Sequence, residues 1–166
     1  MERTAMDMTH YMELLAVNQP WNLLIFMAIP VILAETVAIT ELYILFRRSF
    51  KGTVRAINKV AGILAGFYFL VVFLHLFFKA VIPITTAGEW RTIIDVIAVG
   101  FYLLGVVPLL GIALLEIGAI WRRKSEEWKL GAHAIFVGLF LLVAHIAMIF
   151  GMLSPGLLSG SSPVHH

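Results

Sequence analysis

The chain has 166 residues, of which 61% are hydrophobic and 13% are charged, and its formal net charge is +2. Its mean hydropathy of +0.96 excludes an ordinary soluble domain. The absence of cysteine excludes thiolate metal ligation, disulfide exchange and thiol nucleophiles. Anionic lipid headgroups are sufficient to explain the small positive charge, so we expect the lipid bilayer and no nucleic acid as a partner.

Residues 1–20 precede the first apolar run and carry acids but no basic n-region, so we expect an outer, interfacial segment that is retained rather than a signal peptide. Within it, the stretch MDMTHYM contains Met6, Met8, His10 and Met12. These thioether and imidazole groups are the soft donors that copper(I) selects. The same spacing also fits an interfacial helix with Met8 and Met12 in contact with lipid.

Four apolar runs are each long enough to cross about 30 Å of hydrocarbon at about 1.5 Å per residue. They predict membrane-spanning helices at residues 21–46, 60–82, 96–121 and 130–153. Pro30 and Pro108 lie inside the first and third spans, where we expect neighbouring helices to satisfy the freed carbonyl groups. The sequence therefore predicts an all-α, integral membrane four-helix bundle.

The distribution of basic residues predicts the orientation of this bundle. Nine of the twelve Lys and Arg residues lie at 47–59 and 122–129, and basic loops remain on the inner side of a membrane. Both termini should therefore lie outside. Trp21 and Trp90 then fall at the outer interface, and Trp121 and Trp128 at the inner one, as in an aromatic belt. We expect the inner, cytoplasmic membrane of a bacterium or archaeon.

An internal repeat relates the two halves of the chain. Glu41 precedes Arg47 by the same six residues that separate Glu116 from Arg122, and the apolar runs that follow also match. We interpret residues 21–83 and 96–155 as two helix hairpins, joined by an outer connection at 84–95 and followed by a flexible tail at 156–166. Parallel repeats of this kind predict a pseudo-twofold axis along the membrane normal.

Two histidines occupy matching positions in these repeats. His75 lies sixteen residues beyond Lys59, and His145 lies sixteen beyond Lys129, so both lie about 24 Å from the inner boundary. An ionisable residue inside a membrane is a candidate functional residue. The alternative for each is a neutral imidazole that is hydrogen-bonded across the bundle.

Without thiolates, two such histidines predict the axial ligands of one b-type haem near the outer face, or a bound metal ion. Gly138 lies on the helix face of His145 and leaves room for a flat macrocycle, while Tyr68 could contact a cofactor edge or simply pack. Gly62 and Gly66 better fit a close helix contact. The pattern is similar in a general way to four-helix membrane cytochromes b, but it contains only half of their two-haem signature.

A second polar level lies near the inner surface. Glu41 and Glu116 lie about 9 Å deep, and His133 is slightly shallower. They could form a metal site or a proton-accepting relay, or the two glutamates could form salt bridges with arginine. Glu35 lies deeper in the first span and could carry protons from this level to the histidines.

The first functional prediction is a non-catalytic membrane electron-transfer or haem-anchoring subunit that connects quinol with an outer partner. The second is a membrane protein that binds or transports copper or iron, and the third is a structural subunit of a larger complex. Because the loops are short, we expect other membrane or outer-face subunits as partners in each case. No catalytic residue is predicted.

Overall fold

The computed structural model describes residues 8–48 and 51–153. Within them, a short helix is followed by four long ones: α1 (His10–Ala16), α2 (Trp21–Arg47), α3 (Thr53–Ala87), α4 (Ile93–Glu116) and α5 (Glu126–Met152). Helices α2 to α5 are each long and apolar enough to cross a membrane, which confirms the predicted all-helical fold with four spans. Met6 and the tail beyond residue 153 lie outside the described residues.

The four long helices form a ring. Helix α2 packs against α3 and α5, and α4 packs against the same two helices from the opposite side. The predicted close contact at Gly62 and Gly66 is confirmed, because a Cβ atom at Gly66 would lie 2.5 Å from both the Ala113 Cβ and the Leu109 carbonyl oxygen. These two glycines allow α3 to approach the second half of α4 closely.

Proline interrupts the hydrogen bonding of α2, and two tyrosines compensate. Pro30 has no N–H group. It therefore cannot donate a hydrogen bond to the Phe26 carbonyl, as in an α-helical turn, or to the Ile25 carbonyl, as in a π-helical turn. The preceding turn, Leu24–Ala28, is π-helical. The Tyr68 hydroxyl donates to the Ile25 carbonyl at 3.0 Å, and the Tyr102 hydroxyl donates to that of Phe26. Neighbouring helices thus satisfy the carbonyls freed by Pro30, as predicted.

Two other helices are also irregular. Helix α3 comprises Thr53–Leu76, a π-helical turn at Phe77–Val81 and a final segment, Ile82–Ala87. Helix α4 bends at Gly105 between Ile93–Leu104 and Val106–Glu116. It ends five residues earlier than predicted, since Gly118 and Trp121 adopt positive φ angles of 75° and 50°. We call the end of the bundle that carries the connections α2–α3 and α4–α5 the basic end.

Helix α1 packs against the other end of the bundle. Leu15 is buried against Phe26, Val72, Leu76 and Leu103. The Thr9 side chain caps α1 and donates to the Gly151 carbonyl of α5 at 2.8 Å. The described part of the N-terminal segment is therefore folded onto the bundle.

Candidate functional site

A cluster of four buried polar side chains and one partly exposed arginine lies near the basic end of the bundle, and all four long helices contribute to it. Its members are Glu41 of α2, Arg55 and Asn58 of α3, Glu116 of α4 and His133 of α5. Glu41, Asn58 and His133 are at most 2% exposed. We refer to these five residues as the basic-end cluster.

The position of each member follows from helical periodicity. Glu41 continues the buried face formed by Ala34, Val37 and Ile44, and His133 continues that of Leu130, Val137 and Phe140. Because residues three or four positions apart share a helix face, these polar side chains must enter the core with their apolar neighbours. Burial of polar groups is costly unless they find partners.

One side of the cluster is an ion pair. Arg55 donates from Nη1 and Nη2 to the two carboxylate oxygens of Glu116, at 2.6 and 3.1 Å. Its Nη1 also donates to the Asn58 Oδ1 at 2.8 Å. This two-pronged geometry is the strong form of a carboxylate–guanidinium pair. The expected glutamate–arginine salt bridge thus exists at Glu116, although its partner is Arg55 on α3.

The other side is the Glu41 carboxylate. Its Oε2 lies 2.6 Å from the His133 Nδ1 and accepts a hydrogen bond from the Asn58 amide at 3.2 Å. The Asn58 amide also donates to the Thr40 hydroxyl at 2.9 Å. The buried Glu41 Oε1 has no hydrogen-bond partner among the described residues.

His133 lies between the two carboxylates. Its Nδ1 faces Glu41, and its Nε2 lies 3.3 Å from the Glu116 Oε1. Neither contact has the angles of a hydrogen bond, so an ion pair across either one requires a protonated ring. The order Arg55, Glu116, His133, Glu41 forms a continuous chain of ionisable groups across the bundle.

A polar cavity of about 150 Å³ adjoins this chain at the basic end. Its lining includes Arg55, Lys59, Glu116, Glu126 and Lys129. Beyond the cluster in the other direction, the interior is apolar and contains residues such as Phe69, Ile112 and Phe140. Among the residues that the structure describes, this cavity is lined by Arg55 and Glu116 but not by His133 or Glu41.

The geometry does not favour a metal ion at Glu41, Glu116 and His133. The two ring nitrogens point in opposite directions, so carboxylates on opposite sides of the ring cannot converge on one ion. Across residues 8–48 and 51–153, no group of three or more histidine and acidic side chains is arranged to hold a metal.

The structure does not bring His75 and His145 together. They lie on α3 and α5, which are not packed neighbours in the ring, and both are exposed. The His75 ring stacks on Phe26 with 6.0 Å between centroids. The His145 Nδ1 is 2.6 Å from the Leu141 carbonyl oxygen, one turn earlier on its own helix.

The structure also gives the surroundings of three further predicted site residues. Tyr68 caps the Ile25 carbonyl. Gly138 is exposed, with open space where a Cβ would be. Glu35 is exposed on the outside of α2, so it does not connect the basic-end cluster with either histidine.

The predicted copper donors belong to a different contact. The His10 Nδ1 contacts the fully buried Asp95 carboxylate, and the His10 backbone N–H donates to its other oxygen at 2.7 Å. Met12 packs against the buried cluster around Leu15. Beside them, burial raises the pKa of the Tyr11 phenol to about 12.

Arg55, Asn58 and Asp95 are the polar residues that sequence reasoning missed. Arg55 was counted only as a charge in the basic loop, and Asp95 only as part of a connection. The spacing of the sequence did indicate that Asn58 and Asp95 face the interior. Three positions after each of them, an apolar residue lies on the same helix face. That spacing places a polar side chain on the inward stripe.

These features define a helical protein with four potential membrane spans and a buried acid–imidazole cluster. Residues 6–166 match a family described as a family of unknown function, DUF6803, and the chain belongs to this family. No curated protein and no solved structure matches the chain.

Proposed function

We propose that the protein is a proton-binding membrane protein whose basic-end cluster takes up and releases one proton. The observation that carries this proposal is the position of His133, which is 1% exposed and has a carboxylate from another helix at each ring nitrogen. The short distances from the two glutamates to the ring, 2.6 and 3.3 Å, support the proton-accepting relay expected at this level. Glu35 is not part of it.

The number of protons follows from the chemistry of the ring. A neutral imidazole has one N–H and one lone pair, so it would direct a lone pair at one of two ionised carboxylates. An imidazolium attracts both. Arg55, Glu116, His133 and Glu41 then alternate in charge sign and sum to zero, which lowers the cost of burying them.

Release of the proton leaves a net negative charge inside the bundle. The net charge of the cluster therefore changes when the proton binds or leaves. The cavity beside Arg55 and Glu116 supplies a route to the solution at the basic end. The apolar layer beyond the cluster opposes passage to the other end. The cluster thus acts as a proton-binding site with access from the basic end.

We infer that the basic end faces the inside of the cell and that both termini lie outside, because basic loops favour this orientation. The repeat interpretation has one supporting contact: Glu41 and Glu116, which occupy matching positions, meet at the same histidine. Since the position that matches His133 is the apolar Ile63, a pseudo-twofold arrangement would contain a single imidazole.

Infrared difference spectroscopy during a pH titration in lipid nanodiscs tests the proposal. We expect the histidine-ring and carboxylate bands to change together in the wild type, and this joint change to disappear in both His133→Gln and Glu41→Gln. Glu89→Gln changes an exposed acid in the α3–α4 connection and should leave it intact. Independent titration of ring and carboxylate bands would contradict the proposal.

Haem anchoring remains a second candidate because of one observation. The bond between the His145 Nδ1 and the Leu141 carbonyl leaves Nε2 available, and metal-ligating histidines characteristically use their other nitrogen in this way. A bound b-type haem would supply one-electron transfer, in line with the predicted exchange between quinol and an outer partner.

The positions of His75 and His145 do not fit two axial ligands from one chain, so the second ligand would come from another subunit. Oxidised and dithionite-reduced absorption spectra of the purified protein test this candidate. Reduced b-type bands that are lost in His145→Ala would support it. A featureless spectrum from protein isolated without haem loss would refute it.

A further inference from the structure

The two carboxylates that flank His133 lie at different distances from the ring. The Glu41 Oε2 is 2.6 Å from the Nδ1 atom, whereas the Glu116 Oε1 is 3.3 Å from the Nε2 atom. Electrostatic attraction and hydrogen bonding both weaken with distance. By distance alone, Glu41 is therefore the stronger acceptor for a proton on the ring.

The negative charges of the two carboxylates are also offset to different degrees. Both oxygens of Glu116 accept hydrogen bonds from the Arg55 guanidinium, at 2.6 and 3.1 Å. Within the described part of the chain, Glu41 instead meets the neutral Asn58 amide, which donates to Oε2 at 3.2 Å, and its buried Oε1 has no hydrogen-bond partner. Because a permanent cation offsets the charge of Glu116, the ring proton that faces Glu41 is held more strongly than the one that faces Glu116.

The hydrogen bonds of Asn58 fix the position of the Glu41 carboxylate. The Arg55 Nη1 donates to the Asn58 Oδ1 at 2.8 Å, so the NH2 group of this amide faces α2. There it donates to the Glu41 Oε2, the Thr40 hydroxyl and the Val37 carbonyl. A buried carboxylate that is held in place beside one ring nitrogen orients a histidine and selects its tautomer.

Access to the solution differs in the same direction. Of the two carboxylates, Glu116 lines the polar cavity at the basic end, whereas Glu41 is 2% exposed and is not part of the lining. The neighbours of Glu41 on the buried face of α2 are Val37 and Ile44, and neither side chain can carry a proton. A proton that leaves the ring through Nδ1 thus reaches a closed site, whereas one that leaves through Nε2 reaches the cavity by way of Glu116.

Gly62 of α3 keeps the space beside this second contact free of a side chain. A Cβ atom at Gly62 would lie 3.5 Å from the His133 Nε2 and 3.9 Å from the Glu116 Cγ. Any larger side chain at this position would extend into the space where the ring and the carboxylate meet. The glycine therefore allows both the close approach of α3 to α4 and the contact between Nε2 and Glu116.

We propose that Glu116 is the residue through which His133 exchanges its proton with the solution, and that Glu41 is a positioning residue that retains the proton on Nδ1. This inference rests on the proposed proton-binding function. On release, the Nε2–H bond breaks and the proton binds to the Glu116 Oε1. The resulting carboxylic acid passes the proton to water from the solution and is ionised again. The ring is left neutral, with a proton on Nδ1 and a lone pair on Nε2.

Nitrogen-15 NMR of histidine-labelled protein in nanodiscs identifies the proton that is lost, because protonated and unprotonated ring nitrogens have different chemical shifts. As the pH is raised until the ring is neutral, we expect His133 to lose the Nε2 proton and to keep the Nδ1 proton. A neutral ring with its proton on Nε2 would overturn this inference and leave the proposed function standing. A ring with the same protonation state at every pH at which the protein stays folded would refute the proposed function itself.

Two matched substitutions separate the roles of the glutamates in the same spectra. Glu41→Gln removes the carboxylate that holds the Nδ1 proton, so the neutral ring should carry its proton on Nε2, towards the remaining anion. Glu116→Gln should leave the proton of the neutral ring on Nδ1. The same tautomer in both variants would contradict this division of roles. If Glu116→Gln does not fold, the tautomers of the wild type and of Glu41→Gln decide the question.

The rate at which the ring exchanges its Nε2 proton with water measures the transfer itself, and the width of the Nε2 signal at the midpoint of each titration reports this rate. A positioned acid–base group accelerates proton transfer by about 10²–10⁴-fold, so Glu116→Gln should slow the exchange by about 100-fold or more. Glu116→Asp retains a carboxylate and should restore part of the rate. Glu127→Gln changes an exposed acid outside the cavity lining and should leave the rate unchanged. Exchange in Glu116→Gln as fast as in the wild type would overturn the proposal.

Discussion

The two matched glutamates of the basic-end cluster should differ in their effect on stability. Glu116→Gln leaves the partly buried Arg55 guanidinium, whose side chain is 20% exposed, without its carboxylate, and arginine cannot discharge by losing a proton. Removing one partner of a fully buried ion pair costs about 3–5 kcal/mol, and the partial exposure of Arg55 places the expected cost at the lower end, about 3 kcal/mol. In the proposed cluster, Glu41→Gln removes a charge that a protonated His133 offsets, and the ring can lose that proton. The expected cost is therefore that of a weakened hydrogen bond, about 1–2 kcal/mol.

Thermal unfolding in mild detergent, followed by circular dichroism, measures this difference. At about 2–4 °C per kcal/mol for a chain of this size, Glu116→Gln should lower the Tm by about 6–12 °C. We expect Glu41→Gln to lower it by about 2–8 °C and Glu89→Gln to leave it unchanged. If Glu41→Gln proved as destabilising as Glu116→Gln, the proposed division of charge in the cluster would be wrong.

Three further predictions concern the end of the bundle that holds α1. Tyr102→Phe removes the donor to the Phe26 carbonyl and should lower stability by about 1–3 kcal/mol, as measured by Tm. Asp95→Asn weakens the contact with His10, so amide hydrogen exchange in α1 should become about tenfold faster if roughly 1.4 kcal/mol is lost. Because burial raises the pKa of the Tyr11 phenol to about 12, unfolding should release a proton above the usual phenol pKa of about 10, and stability should fall between these values. Tyr11→Phe should lack that fall; an unchanged pH dependence of the Tm in this variant would contradict the assignment.

The spans could be predicted because hydropathy adds over more than twenty residues per helix, so single errors have little weight. Depth was also predictable from distance along the helix: Glu41, Glu116 and His133 were placed near one level, and they are in contact. The donors to the carbonyls freed by Pro30 could also be predicted, because every carbonyl group inside a membrane needs a hydrogen-bond donor.

Rotation of a helix about its axis was harder to predict. His75 and His145 have equal sequence distances from the basic end, but depth does not determine which side of a helix faces the core. The apolar residues around both histidines do not indicate which side faces the core, because lipid-facing and core-facing residues in a membrane protein are similarly hydrophobic. The end of α4 was missed for a different reason: Ile117 and Trp121 are apolar, and only the backbone shows that the helix has ended.

The most direct test of the central claim is the protonation state of His133 in the purified protein near neutral pH. Nitrogen-15 NMR of histidine-labelled protein in nanodiscs reports it, with His133→Gln identifying the relevant signals. We predict that both ring nitrogens of His133 carry protons, with Glu41 and Glu116 ionised. A neutral His133 ring between two ionised carboxylates would contradict the proposed proton-binding cluster.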